Sequence, residues 1–364
     1  MTDNYDPETG AFPDRPELEG EIDENVLACL PEDVRVTGAQ GSGASYWTRT
    51  ARIDTEFSDG SEKSFFLKVA EGDIGRGMMH GEYESMKAIV EFSPDFVPHP
   101  IAWGTFSSDP NMHFLLEEFR EMDREVPDME PTCSVLAEMH LKSHSVGVKE
   151  FGFPITTYNG RLIQDNKWTK TWEEFFVQQL NVMLEQEEES QGPQTEEMKG
   201  LLSQIFDKVI PRLLRPMETN GHKITPSLIH GDFWHGNVST DVDTGEPVTY
   251  DASAFWGHNE YDIRTMTKRA RYKFGPTWQR EYLRHYPAAY PQEDFEARSE
   301  LYILRSKVHD SALFVNNAKF RETLIQHATS LVETYGEGYE GWLEASKENI
   351  TNEAAHSNVS IDEI

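Results

Sequence analysis

The sequence predicts an α+β protein with a small β-rich N-terminal lobe and a larger, mainly helical C-terminal lobe. Three observations predict it. Between about 33 and 70, and again over 98–119, short runs of β-branched and aromatic residues alternate with Gly, Asp and Ser turns. After 120 the apolar residues recur at helical spacing in long segments. At 364 residues the chain is long for one core and short for three, so two lobes are the default.

Residues 1–25 are rich in Asp, Glu, Pro and Gly and read as a flexible lead-in, so an acidic extension is set at 1–30. The N-lobe follows over 31–119. Its strands are "DVRVTGAQGSGASYWTRTARIDTEF", broken by a glycine-rich turn, then "SFFLKVA" after the turn "SDGSEK". A helix is expected over about 77–92, and "PHPIAWGTF" and "HFLLEEF" supply two further strands. The C-lobe, 120–364, opens with helices in "CSVLAEMHLKSH", "TWEEFFVQQLNVMLEQEEE" and "EMKGLLSQIFDKVIPRLL", and most of 276–350 is helical in pattern. Strand signals survive there only around 228–251. The charged stretch 185–199 reads as a helix end and a solvated loop, and no internal repeat is present.

Hydrophobic residues make up 37% and charged residues 27%, a globular balance. No apolar run approaches the roughly 18 residues of a membrane span, and the acidic N-terminus lacks a signal-peptide pattern. The two cysteines, Cys29 and Cys133, are far apart, which argues against a disulfide framework and for a reducing, cytoplasmic setting. A net charge of −31 repels phosphate backbones and anionic lipid, so neither nucleic acid nor membrane is an expected partner.

Four features carry chemistry. The loop "GAQGSGAS" lies between strands, where Gly41, Ser42 and Gly43 let backbone N–H groups approach an anion closely. It is not a Walker A loop, because neither Lys-Ser/Thr nor a helix follows. Lys68 lies in an otherwise apolar strand, where a lysine is ordinarily solvent-facing. In the next helix, however, Glu82 shares a face with Met79, Met86 and Ile89, whereas Glu84 falls on a charged stripe. A buried Glu82 needs a cation, and a strand lysine held by a helix glutamate is a device for orienting ammonium onto nucleotide phosphates. Finally, "LIHGDFWHGN" places Asp232 and Asn237 at D-x-x-x-x-N spacing, and Asp251 arrives one hairpin later. Each acid alone reads as a turn residue. Together they suit phosphoryl transfer to an alcohol: one carboxylate takes the hydroxyl proton, while an amide oxygen and a second carboxylate hold Mg²⁺.

The order and spacing of these residues resemble the protein-kinase-like fold of small-molecule phosphotransferases, with "HGD" where protein kinases have "HRD". Within that superfamily the chain is most similar to the fructosamine/ketosamine-3-kinases (protein-ribulosamine and protein-fructosamine 3-kinases). The similarity runs over roughly 35–320, through "FFLKVA", "GEYESMKAI", "FLLEEF", "LAEMHL", "FGFPITTYNGRLIQDNKWTKTWEEFF", "LIHGDFWHGNV" and "YDASAFWGHNEYDI". The resemblance implies ATP and Mg²⁺ as cofactors, and ketosamine small molecules or glycated proteins as partners, with a monomer favoured. It implies Lys68 on the phosphates with Glu82 holding it, the backbone around Glu117–Phe119 on adenine, Asp232 as base, and Asn237 and Asp251 on the metal. Trp234, beside the base, would pack on the sugar or else fill the core. His258 and Glu260 would line the acceptor side, although Asn259 and Asp262 are also spaced as N-cap and N3 of a helix. Asn166 would touch substrate, while Trp168 and Trp172 pack.

Two departures stand out. The family's usual Asp-Pro-Ala after the hairpin is here Asp251-Ala252-Ser253, and the glycine-rich loop lacks the cysteine that members often carry there, linked to redox-sensitive dimerisation. No redox-controlled dimer through this loop is expected. Two other readings stay open on sequence: a phosphotransferase for another alcohol, such as an aminoglycoside or choline, and a non-catalytic pseudokinase.

Overall fold

The computed structural model describes residues 21–42, 47–123, 125–267, 273–315, 317–345 and 347. A five-stranded antiparallel sheet forms the N-lobe: β1 (Val34–Gly41), β2 (Arg49–Phe57), β3 (Glu62–Glu71), β4 (Pro100–Thr105) and β5 (Met112–Glu118), in the order β1-β2-β3-β5-β4. The strand carrying Lys68 is therefore central, not an edge.

Alternation along the strands gives the sheet two apolar faces. Phe65, Leu67 and Val69 of β3 join Phe114 and Leu116 of β5 on one face, where Val26 and Leu30 cover them. This shortens the expected flexible extension of 1–30. Residues 21–30 belong to the N-lobe, with a short helix α1 (Glu24–Leu27) and Asp23 accepting bonds from the backbone of Ser107 and Ser108. On the other face lie Lys68, Ala70 and Leu115, against Met79 of helix α2 (Gly72–Val90). That helix starts five residues earlier than its periodicity suggests, because Gly72 turns directly out of β3 with φ +75°.

The C-lobe is built on α3 (Met129–Ser143), α4 (Trp172–Gln191), α5 (Glu196–Gln204), α6 (Ile210–Leu214), α7 (Pro276–His285), α8 (Phe295–Leu313) and α9 (Ala318–Tyr335). Helix α4 begins at a full capping box, Thr171 with Glu174. Trp172 then enters the core among Phe151, Phe175, Phe176, Tyr261 and Tyr302, with its indole N–H donated to Tyr302 Oη at 2.8 Å. Trp168, by contrast, is exposed.

Strands in this lobe are more numerous than expected. The hairpin β6 (Thr157–Asn159) and β7 (Leu162–Gln164) lies outside the 228–251 region, as does β11 (Phe255–Gly257), which pairs with β8 (Ser227–Ile229). The expected hairpin is β9 (Val238–Thr240) with β10 (Pro247–Thr249). Glu187, placed on a solvated stretch by its sequence, is fully buried on Arg321 and Ser311. Among the described residues no helix is long and apolar enough to cross a membrane.

Candidate active site

Lys68 reaches out of the central strand and meets two carboxylates. Its Nζ lies 2.6 Å from Glu82 Oε1 on α2 and 2.5 Å from Asp251 Oδ1 in the turn after β10. The helix-face argument for Glu82 thus holds in space. Burial works against the Lys68 charge, but Asp251, Glu82 and Glu117 together raise its pKa, so the ammonium is kept. Burial is the largest influence on Glu82 and, despite Lys68, pushes it up to about 7. Burial also pulls on Asp251, yet the Lys68 ammonium more than offsets it and holds that carboxyl below the usual range. Half of the Asp251 side chain remains open to solvent, and its backbone adopts φ +57°, a left-handed conformation that turns the carboxylate back under the sheet.

The 230–237 loop packs against the Asp251 turn, with the Ser253 N–H donating to the His230 carbonyl and the Tyr250 N–H to that of Asn237. Asn237 donates its amide to the Asp232 carbonyl at 3.0 Å and to Asp232 Oδ2 at 3.1 Å, which leaves its amide oxygen for another partner. Asp232 is half-buried. Gly231 before it has φ +83°, and a Cβ there would lie 2.2 Å from the Ser253 carbonyl, so only glycine lets the loop pass beneath the Asp251 turn. His230 is buried and neutral. Its Nδ1 accepts from the Asp232 N–H and its Nε2 lies 3.0 Å from the Tyr250 carbonyl, while burial lowers its pKa.

Sequence reasoning missed the support beneath this loop. Asp262 accepts from the N–H groups of both His230 (2.6 Å) and Gly231 (2.9 Å), and it also contacts His140 Nε2 at 3.2 Å. Burial raises the Asp262 carboxyl, and these partners more than reverse that. Arg264 donates to the Gly231 carbonyl and Thr265 to that of Phe233. The segment Asn259–Thr265 is a 3-10 helix whose cap position is His258, with no side-chain cap bond. Asn259 and Asp262 are therefore not a capping pair. The sequence surroundings of Asp262, Gly257-His258-Asn259-Glu260-Tyr261 before it and Ile263-Arg264-Thr265 after it, are largely polar and gave no signal of this role.

Other expected residues lie elsewhere. Glu260 is fully buried, receiving both Nε and Nη2 of Arg298 at 2.8 and 2.9 Å and the Ala289 N–H at 2.7 Å. His258 is sealed beside Tyr302 and Trp172. Neither has surface to offer an acceptor, which corrects the expectation that they line it. Asn166 is likewise inside, its amide shared among the Ile155 carbonyl, Thr157 and Gln179. Trp234 stays half-buried, its ring lying over Gly236. Gly41 ends β1 opposite Ala51 and Ser42 is tied to Thr50, and Gly43 lies outside the described residues. At the lobe crossing, the N–H groups of Glu118 and Phe119 bond to the carbonyls of His99 and Ser64, so those two donors are not available to a base. The Phe119 ring instead lies under Arg52, 4.6 Å from its guanidinium.

A small antiparallel sheet over a helical lobe, with the lysine, two acids and an amide at their junction, is a protein-kinase-like architecture. It superposes on a provisionally named fructosamine-3-kinase from Thermobifida fusca with a TM-score of 0.61, at 24% identity, over 82% of this chain and 94% of that one. The APH(4)-Ia aminoglycoside phosphotransferase, in ternary complex with AMP-PNP and hygromycin B, gives 0.54 at 15% identity over 82% and 94%. The fructosamine kinase family model matches residues 46–332, and the chain belongs to that family: it is an enzyme, a kinase of sugar amines. It is 32% identical over 310 residues to the chloroplastic protein-ribulosamine 3-kinase of Oryza sativa subsp. indica, covering 80% of this chain and 81% of the relative. It is 31% identical over 262 residues to the ketosamine-3-kinase of Mus musculus, covering 65% and 77%.

Proposed function

We propose that the protein transfers the γ-phosphoryl group of ATP to the 3-hydroxyl of a ketosamine, a ribulosamine or fructosamine carried on a lysine side chain. The carrying observation is the convergence of Lys68, held by Glu82, with Asp251 and the Asn237–Asp232 pair at the lobe junction. The donor set suits Mg²⁺: a free amide oxygen on Asn237 and a half-exposed carboxylate on Asp251 are hard oxygen ligands. When bound, the ion neutralises charge on the phosphates.

Asp232 accepts the proton of the sugar hydroxyl as that oxygen bonds to the γ-phosphorus and the β–γ bridging oxygen leaves with ADP. Lys68 meets the phosphates, and Asn237 keeps the Asp232 carboxylate aimed. Trp234, two residues after the base and half-buried where Phe233 is fully enclosed, packs the sugar ring. The net charge of −31 suits an amine-bearing acceptor more than an anionic one.

The test is ATP-dependent phosphorylation of ribulosyl-lysine and fructosyl-lysine, with an aminoglycoside as the contrasting acceptor. Asp232→Asn should lower kcat by about 10²-fold or more while ATP binding changes little. Full turnover in that variant removes Asp232 from the mechanism, and exclusive use of the aminoglycoside removes the ketosamine.

A further inference from the structure

Glu117 is a buried acid with one carboxyl oxygen left without a hydrogen-bond partner. It ends the cleft-facing row of β5, where register pairs Lys68 with Leu115 and Phe66 with Glu117, so its side chain shares the Lys68 face of the sheet. It is 3% exposed, and its Oε2 accepts and donates no hydrogen bond. Lys68 acts on it only through space, because the hydrogen bonds of that ammonium go to Glu82 and Asp251. A buried carboxyl oxygen left unsatisfied calls for a completing group, and at a cleft wall a ligand is one such group. Glu117 also lies between Lys68 and the crossing to the C-lobe. A nucleotide with its phosphates at Lys68 carries its base in that direction.

We infer that the Glu117 side chain reads the N6/N7 edge of the adenine ring, and so sets the preference for ATP over GTP. This rests on the nucleotide-dependent reading above. Burial foremost, then the neighbouring Glu82, raise the Glu117 carboxyl well above its ordinary range against the pull of Lys68, which favours its neutral form. A neutral carboxyl offers one O–H donor and one carbonyl acceptor, the same pattern as a glutamine amide. Adenine presents an acceptor at N7 and a donor at N6, which this pattern matches twice. Guanine presents two acceptors, N7 and O6, and matches it once. The Glu118 and Phe119 N–H groups are already bonded within the N-lobe, which leaves the Glu117 side chain as a polar group that a base can meet at this crossing.

The test measures KM on the full chain with ATP, GTP and 7-deaza-ATP, which lacks the N7 acceptor. The wild type should prefer ATP over GTP by about tenfold or more, and should lose several-fold in KM with 7-deaza-ATP. Glu117→Leu should collapse both differences to within about threefold, and Glu117→Gln, which keeps the donor–acceptor pattern, should retain them. Equal KM for ATP and 7-deaza-ATP in the wild type overturns the inference without any variant, as does a Glu117→Leu protein that still discriminates. If the wild type neither binds nor uses any of the three nucleotides, the kinase reading falls with it. Wild-type turnover with no discrimination sinks the Glu117 assignment alone.

Discussion

Asp262 gives both carboxylate oxygens to the N–H groups of His230 and Gly231, the two residues before Asp232, and does so with its side chain fully enclosed. An asparagine there would turn an NH₂ toward one of those donors. Asp262→Asn should therefore cost on the order of 3 kcal/mol in unfolding free energy. It should also lower kcat more than KM for either substrate, because the loop that aims Asp232 is loosened. Chemical denaturation and steady-state kinetics on one preparation check both. An unchanged kcat in a destabilised protein would reduce Asp262 to a folding residue. This side chain also marks the limit of reading the site from sequence. Lys68, Glu82, Asp232, Asn237 and Asp251 were legible because their spacing has a chemical purpose that one strand, one helix face and one loop express. Asp262 was not, because its partners are backbone groups 31 and 32 residues earlier, and local spacing offered a cap instead.

At the level of elements, the 3-10 segment Asn259–Thr265 is held to α8 by the enclosed Glu260–Arg298 pair. Removing one partner strands a buried charge, so Glu260→Ala should cost about 3–5 kcal/mol, whereas replacing both, Glu260→Met with Arg298→Met, should recover much of that. Equal loss in single and double variants would show that the pair is not the cause.

His258 next to it supplies a pH dependence. Burial foremost lowers its pKa from 6.5 to about 4, so the folded state holds it neutral. Its contribution is complete above pH 6.5 and is lost as pH falls toward 4, up to about 3 kcal/mol. Thermal unfolding from pH 7 to 4 should fall more steeply in the wild type than in His258→Gln; parallel curves would dismiss this histidine. The short strands of this lobe explain what the pattern missed. Pairs such as β6–β7 and β8–β11 are three residues long, too short to show alternation, and they form because tertiary neighbours satisfy their backbone.

For the whole molecule, the division into a sheet-bearing and a helical part was legible because each has a period sustained over many residues. The attachment of residues 21–30 was not, since acidic composition there outweighs two apolar anchors, Val26 and Leu30, that only the sheet reveals. The glycine-rich loop beyond Ser42 is where sequence expectation stands alone, as residues 43–46 lie outside those described.

Lys68 is also the place where the two parts of the molecule touch electrically, since Glu82 comes from the N-lobe and Asp251 from the C-lobe. Its ammonium is the cation between them, and without it two acids face one another across the junction. Lys68→Met should thus do more than weaken the phosphate binding proposed for this lysine. The lobes should part, and amide hydrogen exchange should rise together in β3, α2 and the 251–257 segment, while the distant α5–α6 region stays as protected as before. Unaltered exchange at the junction would separate the lysine's chemistry from the hinge. A lysine-to-methionine variant that opens the junction is a change of shape, and its low activity cannot be attributed to phosphate contacts alone.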